Sequence, residues 1–222
     1  MEVISQLADV LLHVDKHLLQ LIQDYGFWVY GILFVIIFCE TGLVVTPFLP
    51  GDSLLFAAGA FAVAEAEGPG LSLTVLVPLL IVAAVIGDAV NFMIGTWVGP
   101  GFLEKGRFRF IKREHLEKTQ RFYETYGGKT IILARFVPIV RTFAPFIAGI
   151  GRMNYGRFAT FNVIGAVAWV VICVFAGYFF GNIPVVKKNF ELVVLGIIFV
   201  SVLPIAIELG RGWLSARRQG AT

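Results

Sequence analysis

Two acids and two arginines interrupt apolar sequence in this chain, and each pair is set among prolines and glycines. Glu40 and Asp52 flank the stretch TGLVVTPFLPG. Arg135 and Arg141 flank FVPIV, with Pro145 and Gly149 just beyond. A charge in hydrocarbon costs about 3 kcal/mol or more unless it is paired or hydrated, so an intramembrane ionisable residue points to function. Proline and glycine beside such charges imply an interrupted helix. At membrane depth that backbone is tolerated only where protein or a water-filled cavity satisfies it. The combination points to a broken-helix transport site for an anionic substrate.

Composition supports the membrane setting. The chain is 58% hydrophobic and 15% charged, against about 45–50% and 25% in soluble proteins, and its mean hydropathy is +0.83. Cys39 and Cys173 both lie in apolar runs and read as small buried side chains rather than a disulfide framework. The first 24 residues carry Glu2, Asp9, Asp15 and Asp24, where a cleavable signal peptide would have a basic start and an apolar core. No such peptide is expected.

Residues 1–25 place Leu7, Val10, Leu11, Val14, Leu18, Leu21 and Ile22 at spacings of three and four, the pattern of an amphipathic interfacial helix. A membrane helix begins at 27–39, and Glu40 interrupts it. Counted to Leu49, the segment is long enough to cross about 30 Å. Residues 47–63 are too short to cross alone, and Pro47, Pro50 and Gly51 break the chain before Asp52. They read as a re-entrant hairpin. Residues 73–99 form a span carrying Pro78, Asp88 and Asn91. Residues 130–150, broken by Pro138 and Pro145, read as a second re-entrant hairpin, and 157–181 and 190–210 as further spans.

The expected fold is therefore an all-α polytopic membrane protein. It has about four transmembrane helices, two re-entrant helical hairpins and an N-terminal amphipathic helix. The membrane domain covers 26–215, and 216–222 form a tail.

Lys105, Arg107, Arg109, Lys112, Arg113, Lys118, Arg121 and Lys129 make 100–129 the basic segment, and Arg211, Arg217 and Arg218 follow the final span. The loop 64–72 has no Lys or Arg. The positive-inside rule puts the basic segment and both termini in the cytoplasm, although Lys187 and Lys188 in the second outward loop run against it. VIG at 85–87 recurs at 163–165, and FAAG at 56–59 resembles FIAG at 146–149. With this orientation the two hairpins enter from opposite sides. That is an inverted repeat with its site near the midplane, and chance similarity between two apolar stretches is the alternative.

Arginine stays charged and offers a planar fork of donors suited to phosphate. Arg135 and Arg141 are the candidate substrate-binding residues; the competing reading is that they only neutralise Glu40 and Asp52. Those acids are candidates for proton coupling or ion pairing, and Asp52 can also cap the helix that follows Pro50–Gly51. Asp88, Asn91 and Asn162 are cavity-lining candidates or polar glue between helices. His13 and His17 have a spacing that can hold a metal but no third ligand nearby, so no metal site is expected. Gly26–Phe27–Trp28 and Trp213 read as interfacial anchors. The three histidines lie in interfacial or loop sequence and no HExxH, GxSxG or Walker-type run occurs. An enzyme is not expected.

At FCETGLVVTPFLPGDSLLFAAG, IGDAVNFMIG, ARFVPIVRTFAPFIAGIGRMNYGRF and FNVIGAVAW the chain resembles the DedA family, the bacterial branch of the VTT superfamily. The resemblance runs from about residue 25 to 210. It implies two opposed re-entrant hairpins, lipid transport in the bacterial inner membrane, and essential acids and arginines at Glu40, Asp52, Arg135 and Arg141. A family aromatic after GD stands here as Phe92, without a hydroxyl. The expected activity is flipping of undecaprenyl phosphate from the periplasmic to the cytoplasmic leaflet, with the polyprenyl tail left in lipid. Phospholipid flipping or scrambling and proton-driven antiport or drug export are the alternatives. Expected partners are the membrane and a lipid phosphate, with protons and self-association left open. No cofactor and no nucleic acid are expected.

Overall fold

The computed structural model describes residues 24–43, 51–62, 71–104, 129–181, 183–190, 192–193 and 195–197. The amphipathic segment with His13 and His17, the breakers Pro47 and Pro50, most of 100–129 with His115, most of 190–210, and Trp213 with the tail lie outside the described residues. The described elements are all helical: α1 (Trp28–Gly42), α2 (Gly51–Phe61), α3 (Leu73–Glu104), α4 (Lys129–Ala134), α5 (Pro138–Ile150), α6 (Tyr155–Phe180) and α7 (Pro184–Lys188).

Among the described residues, two helices are long and apolar enough to cross a bilayer, over Leu73–Val98 and Tyr155–Phe180. At 1.5 Å per residue each stretch is roughly 39 Å long, more than the hydrocarbon thickness requires. They pack on each other and form the axis of the fold. Helix α1 buries Val29, Leu33, Ile37 and Glu40 along one stripe, the i, i+4 face that a helix presents to a partner. It runs past Glu40 to Gly42, so the acid does not interrupt the helix as its charge suggests. The Glu40 carboxylate instead reaches across to the start of α2. Helix α2 is buried nearly all round, from Ser53 to Ala60, as expected of a helix surrounded by protein.

The region 130–150 is a helix, a break and a helix. Val137 is extended (φ −114°, ψ 109°) and Pro138 opens α5. A residue before proline is pushed out of the α region, and proline suits the first helical turn, so the Val137–Pro138 pair ends one helix and starts the next. Pro145 behaves differently from the sequence expectation, for it lies inside α5 without ending it. A proline there removes one backbone bond and crowds the carbonyl of Arg141. Close packing of α5 on α3 holds the helix together around it.

That packing relies on glycine. A Cβ at Gly149 would collide with the carbonyl of Phe92, and one at Gly95 with the carbonyl of Phe146. The same contact recurs between α2 and α6, where Gly59 meets Val174 and Gly177 meets Phe56. Small residues let membrane helices approach to backbone contact. The repeated tetrapeptides thus do the same work twice: FAAG seats α2 on α6, and FIAG seats α5 on α3. The repeated VIG glycines also correspond. Gly87 of α3 faces Phe38 and Thr41 of α1, and Gly165 of α6 faces Ile132 of α4 and Arg135 just beyond it.

Candidate functional site

The charged residues converge where the short helices end against the two long ones. Asp88 and Trp169 stand near the middle of the two apolar spans. Glu40 is contributed by the last turn of α1, Asp52 by the first turn of α2 and Arg141 by the first turn of α5. The Arg141 guanidinium bridges both acids. Its Nη2 donates to Glu40 Oε1, and its Nη1 donates to Asp52 Oδ1 at 2.7 Å. Glu40 Oε1 also accepts from the backbone N–H of Gly51 at 3.2 Å. The carboxylate therefore satisfies a free donor at the α2 N-terminus, where negative charge is favoured. A Cβ at 51 would overlap that carboxylate, so a larger residue there would displace it.

Arg135 has a separate partner set. Its Nη2 donates to Asp88 Oδ2 at 2.6 Å and to the Ala84 carbonyl at 3.3 Å. Its Nη1 donates to the Asn162 carbonyl and Oδ1 at 3.1 and 3.3 Å. The sequence expectation paired both arginines with Glu40 and Asp52. In the fold, Arg135 follows α4, which packs on α6, and its side chain meets the α3 acid there instead.

Asn162 Nδ2 donates in turn to the Val85 carbonyl at 3.0 Å. Asn91 Nδ2 donates to the Thr41 and Thr142 carbonyls at 3.0 and 2.8 Å, tying α3 to both α1 and α5. Asp88, Asn91 and Asn162 are thus all buried and engaged, and none lines the cavity described below. Phe92 is buried and stacks on Phe158, with ring centroids 4.4 Å apart.

Trp169 joins the two charge groups. Its Nε1–H donates to Asp52 Oδ1 at 2.7 Å, and its ring lies 5.1 Å from the Arg141 guanidinium carbon and 5.7 Å from that of Arg135. Both separations are within cation–π range. Sequence reasoning did not single this residue out. The available signal was its place at the end of FNVIGAVAW: counted from the repeated VIG, Trp169 stands where Asn91 stands in the first copy. Asn91 reaches α5 in that copy, and Trp169 reaches α2 in this one.

Three carboxylates face two guanidiniums in this buried cluster, so with every group ionised it carries one negative charge in excess. Glu40 Oε2, Asn91 Oδ1 and Arg141 Nε are buried with no hydrogen-bond partner among the described residues. Beside the cluster lies a cavity of about 410 Å³, open on one side, walled by Phe136, Trp169, Ile172, Cys173, Val193 and Ile197, with Asp52 at its polar end.

Comparison with known proteins agrees with the membrane setting. The VTT domain family model matches residues 49–179. The chain belongs to the DedA family of VTT-domain membrane proteins. It is 55% identical to Protein DedA of Escherichia coli K12 over 98% of this chain and 99% of that protein. It is 44% identical to an uncharacterized membrane protein of Mycobacterium tuberculosis H37Rv over 84% of this chain and 81% of that one. It is 34% identical to the inner membrane protein YqjA of Escherichia coli K12, over 85% and 83%. No solved structure matches the chain.

Proposed function

We propose that this protein is a lipid-phosphate translocase of the bacterial inner membrane, moving undecaprenyl phosphate from the periplasmic to the cytoplasmic leaflet without a catalytic step. One observation carries the reading. Two buried guanidiniums sit near the middle of the apolar spans, held by carboxylates from separate helices. Such an ion pair is a poor stabiliser, since apolar packing of the same volume often does as well or better. It is well suited to exchange. A phosphate presents the same oxygens to the Arg141 fork as Glu40 and Asp52 do, and bidentate phosphate recognition is what the guanidinium does best. Arg135, held by Asp88, provides the second positive group.

In this scheme the lipid phosphate displaces carboxylates from Arg141 at the midplane, and they return when it leaves. Displaced carboxylates beside the bound anion need neutralising. A coupling proton on Glu40 or Asp52 serves. The two hairpins enter from opposite faces, and both termini and the basic segment face the cytoplasm. The relative named an inner membrane protein supports the location.

The test is thermal stabilisation of the purified protein. Undecaprenyl phosphate at about 100 times its Kd should stabilise by about 2.7 kcal/mol, and undecaprenol should do far less. Equal stabilisation by both would remove the phosphate from the account. Asp52 favours a second reading. It is partly exposed and forms the polar end of the cavity, where the amine of a zwitterionic phospholipid would find an acid. Stabilisation by phosphatidylethanolamine exceeding that by undecaprenyl phosphate would select it.

A further inference from the structure

The cavity beside the cluster is unsuited to a phosphate. Among the described residues lining it, Asp52 is the single charged one, and its carboxylate repels an anion. The Trp169 N–H in its wall is already donated to Asp52. The remaining walls are apolar. They come from three parts of the fold: Phe136 in the break between α4 and α5, Ile172 and Cys173 on α6, and Val193, Gly196 and Ile197 beyond α7. Its volume lies in the ordinary range of ligand pockets, roughly 300–1,000 Å³. Ile172 and Phe136 are exposed, so the open side faces what surrounds the helices.

Trp169 divides this space from the arginines. One part of the indole lines the cavity, its N–H holds Asp52, and its ring sits within cation–π distance of both guanidiniums. A tryptophan is suited to such a boundary because it has a large apolar body and one polar handle. A lipid whose phosphate lies on Arg141 would have its first chain carbons beside Asp52 and the indole, at the polar end of the cavity.

We infer that this cavity is the seat of the head-proximal part of the transported lipid's apolar chain, with Trp169 as the partition between chain and phosphate. The inference rests on the lipid-phosphate reading above and adds to it a second recognition element. The headgroup alone is then an incomplete ligand, and only the distal part of the chain remains in bulk lipid.

Cys173 lies in the wall and provides a native reporter. The Cys39→Ser protein, which retains Cys173 as its one thiol, is solubilised in a rigid sterol-based detergent. Its rate of alkylation by N-ethylmaleimide is then followed with undecaprenyl phosphate, undecaprenol or inorganic phosphate present. Undecaprenyl phosphate at several times its Kd should slow alkylation about fivefold or more, as occupancy requires. Inorganic phosphate should leave the rate unchanged. Ile172→Trp, a change at an exposed wall position, should fill the cavity, slow alkylation without lipid and abolish the lipid effect.

An unchanged rate with undecaprenyl phosphate, in a protein that the same lipid stabilises thermally, would overturn the chain seat and leave the phosphate reading standing. Equal slowing by undecaprenol and undecaprenyl phosphate would support the chain seat while removing the phosphate from the account.

Discussion

Arg141 is the residue on which the cluster turns, since among the described residues it alone links α1, α2 and α5 through side-chain charge. Truncating one partner of a buried pair leaves the other uncompensated, at about 3–5 kcal/mol. Arg141→Ala should therefore lower stability as well as transport, and loss of function in that variant alone does not separate a structural lock from a binding site. The Arg135–Asp88 pair allows the separation. Arg135→Leu and Asp88→Leu should each destabilise, and the double variant should recover, with a coupling energy of about 0.5–3 kcal/mol in denaturation measurements. If Arg135 also serves the substrate, the stable double variant should still fail to move lipid. A double variant with normal transport would reduce that pair to a lock. Trp169→Phe keeps an aromatic ring against the guanidiniums and removes one hydrogen bond to a charged group, about 1.5–3 kcal/mol, which a melting experiment would register. Glu40, Asp52, Arg135 and Arg141 were legible in the sequence because charge in an apolar run is rare and physically expensive. The pairing of Arg141 with Glu40 and Asp52 follows the sequence expectation, but that of Arg135 with Asp88 does not, because it depends on which helix each break delivers to which neighbour. Trp169 was hidden for another reason: a tryptophan among valines and alanines reads as packing until its N–H partner is known.

The elements interlock by exchange: α2 of the first repeat packs on α6 of the second, and α5 of the second packs on α3 of the first, while α1 and α4 pack on the long helices of their own repeats. Glycine permits the contact in both places, so Gly59→Ala and Gly149→Ala should each force overlap with a backbone carbonyl. The expected loss is about 1–3 kcal/mol in thermal or denaturant unfolding. Gly31 is the control. It lies in α1, and a methyl group added there would meet nothing within 4 Å, so Gly31→Ala should be neutral or stabilise by up to about 1 kcal/mol through helix propensity. Equal effects at all three positions would argue against the interlock. The repeat was visible in the sequence as VIG and as FAAG against FIAG. Its meaning was not visible, because the same small residues that mark a close helix contact also occur in ordinary lipid-facing sequence. Pro145 shows the opposite limit. Its local chemistry says break, and the surrounding packing carries the helix through it.

For the whole molecule, the two apolar spans and the buried charges at their middle agree with the hydropathy of the chain. Orientation follows from charges that lie largely outside the described residues. In the Cys39→Ser, Cys173→Ser protein, a cysteine placed at Lys112 should react with a membrane-impermeant maleimide only after the cytoplasmic face is opened, and one placed at Glu67 should react from the periplasm. The reverse pattern would invert the direction of every step proposed. Exchange of the Arg141 carboxylates for a lipid phosphate at the midplane is tested by leaflet transfer. The protein is reconstituted in liposomes carrying undecaprenyl phosphate in the outer leaflet, and loss from that leaflet is followed for the wild type and for folded Arg141→Lys. Lysine keeps the charge but cannot bridge two acceptors as the guanidinium fork does. The account predicts protein-dependent loss that falls at least about tenfold in the variant, the equivalent of 1.4 kcal/mol. Transfer at the wild-type rate with lysine at 141, or no transfer by the wild type, would contradict it.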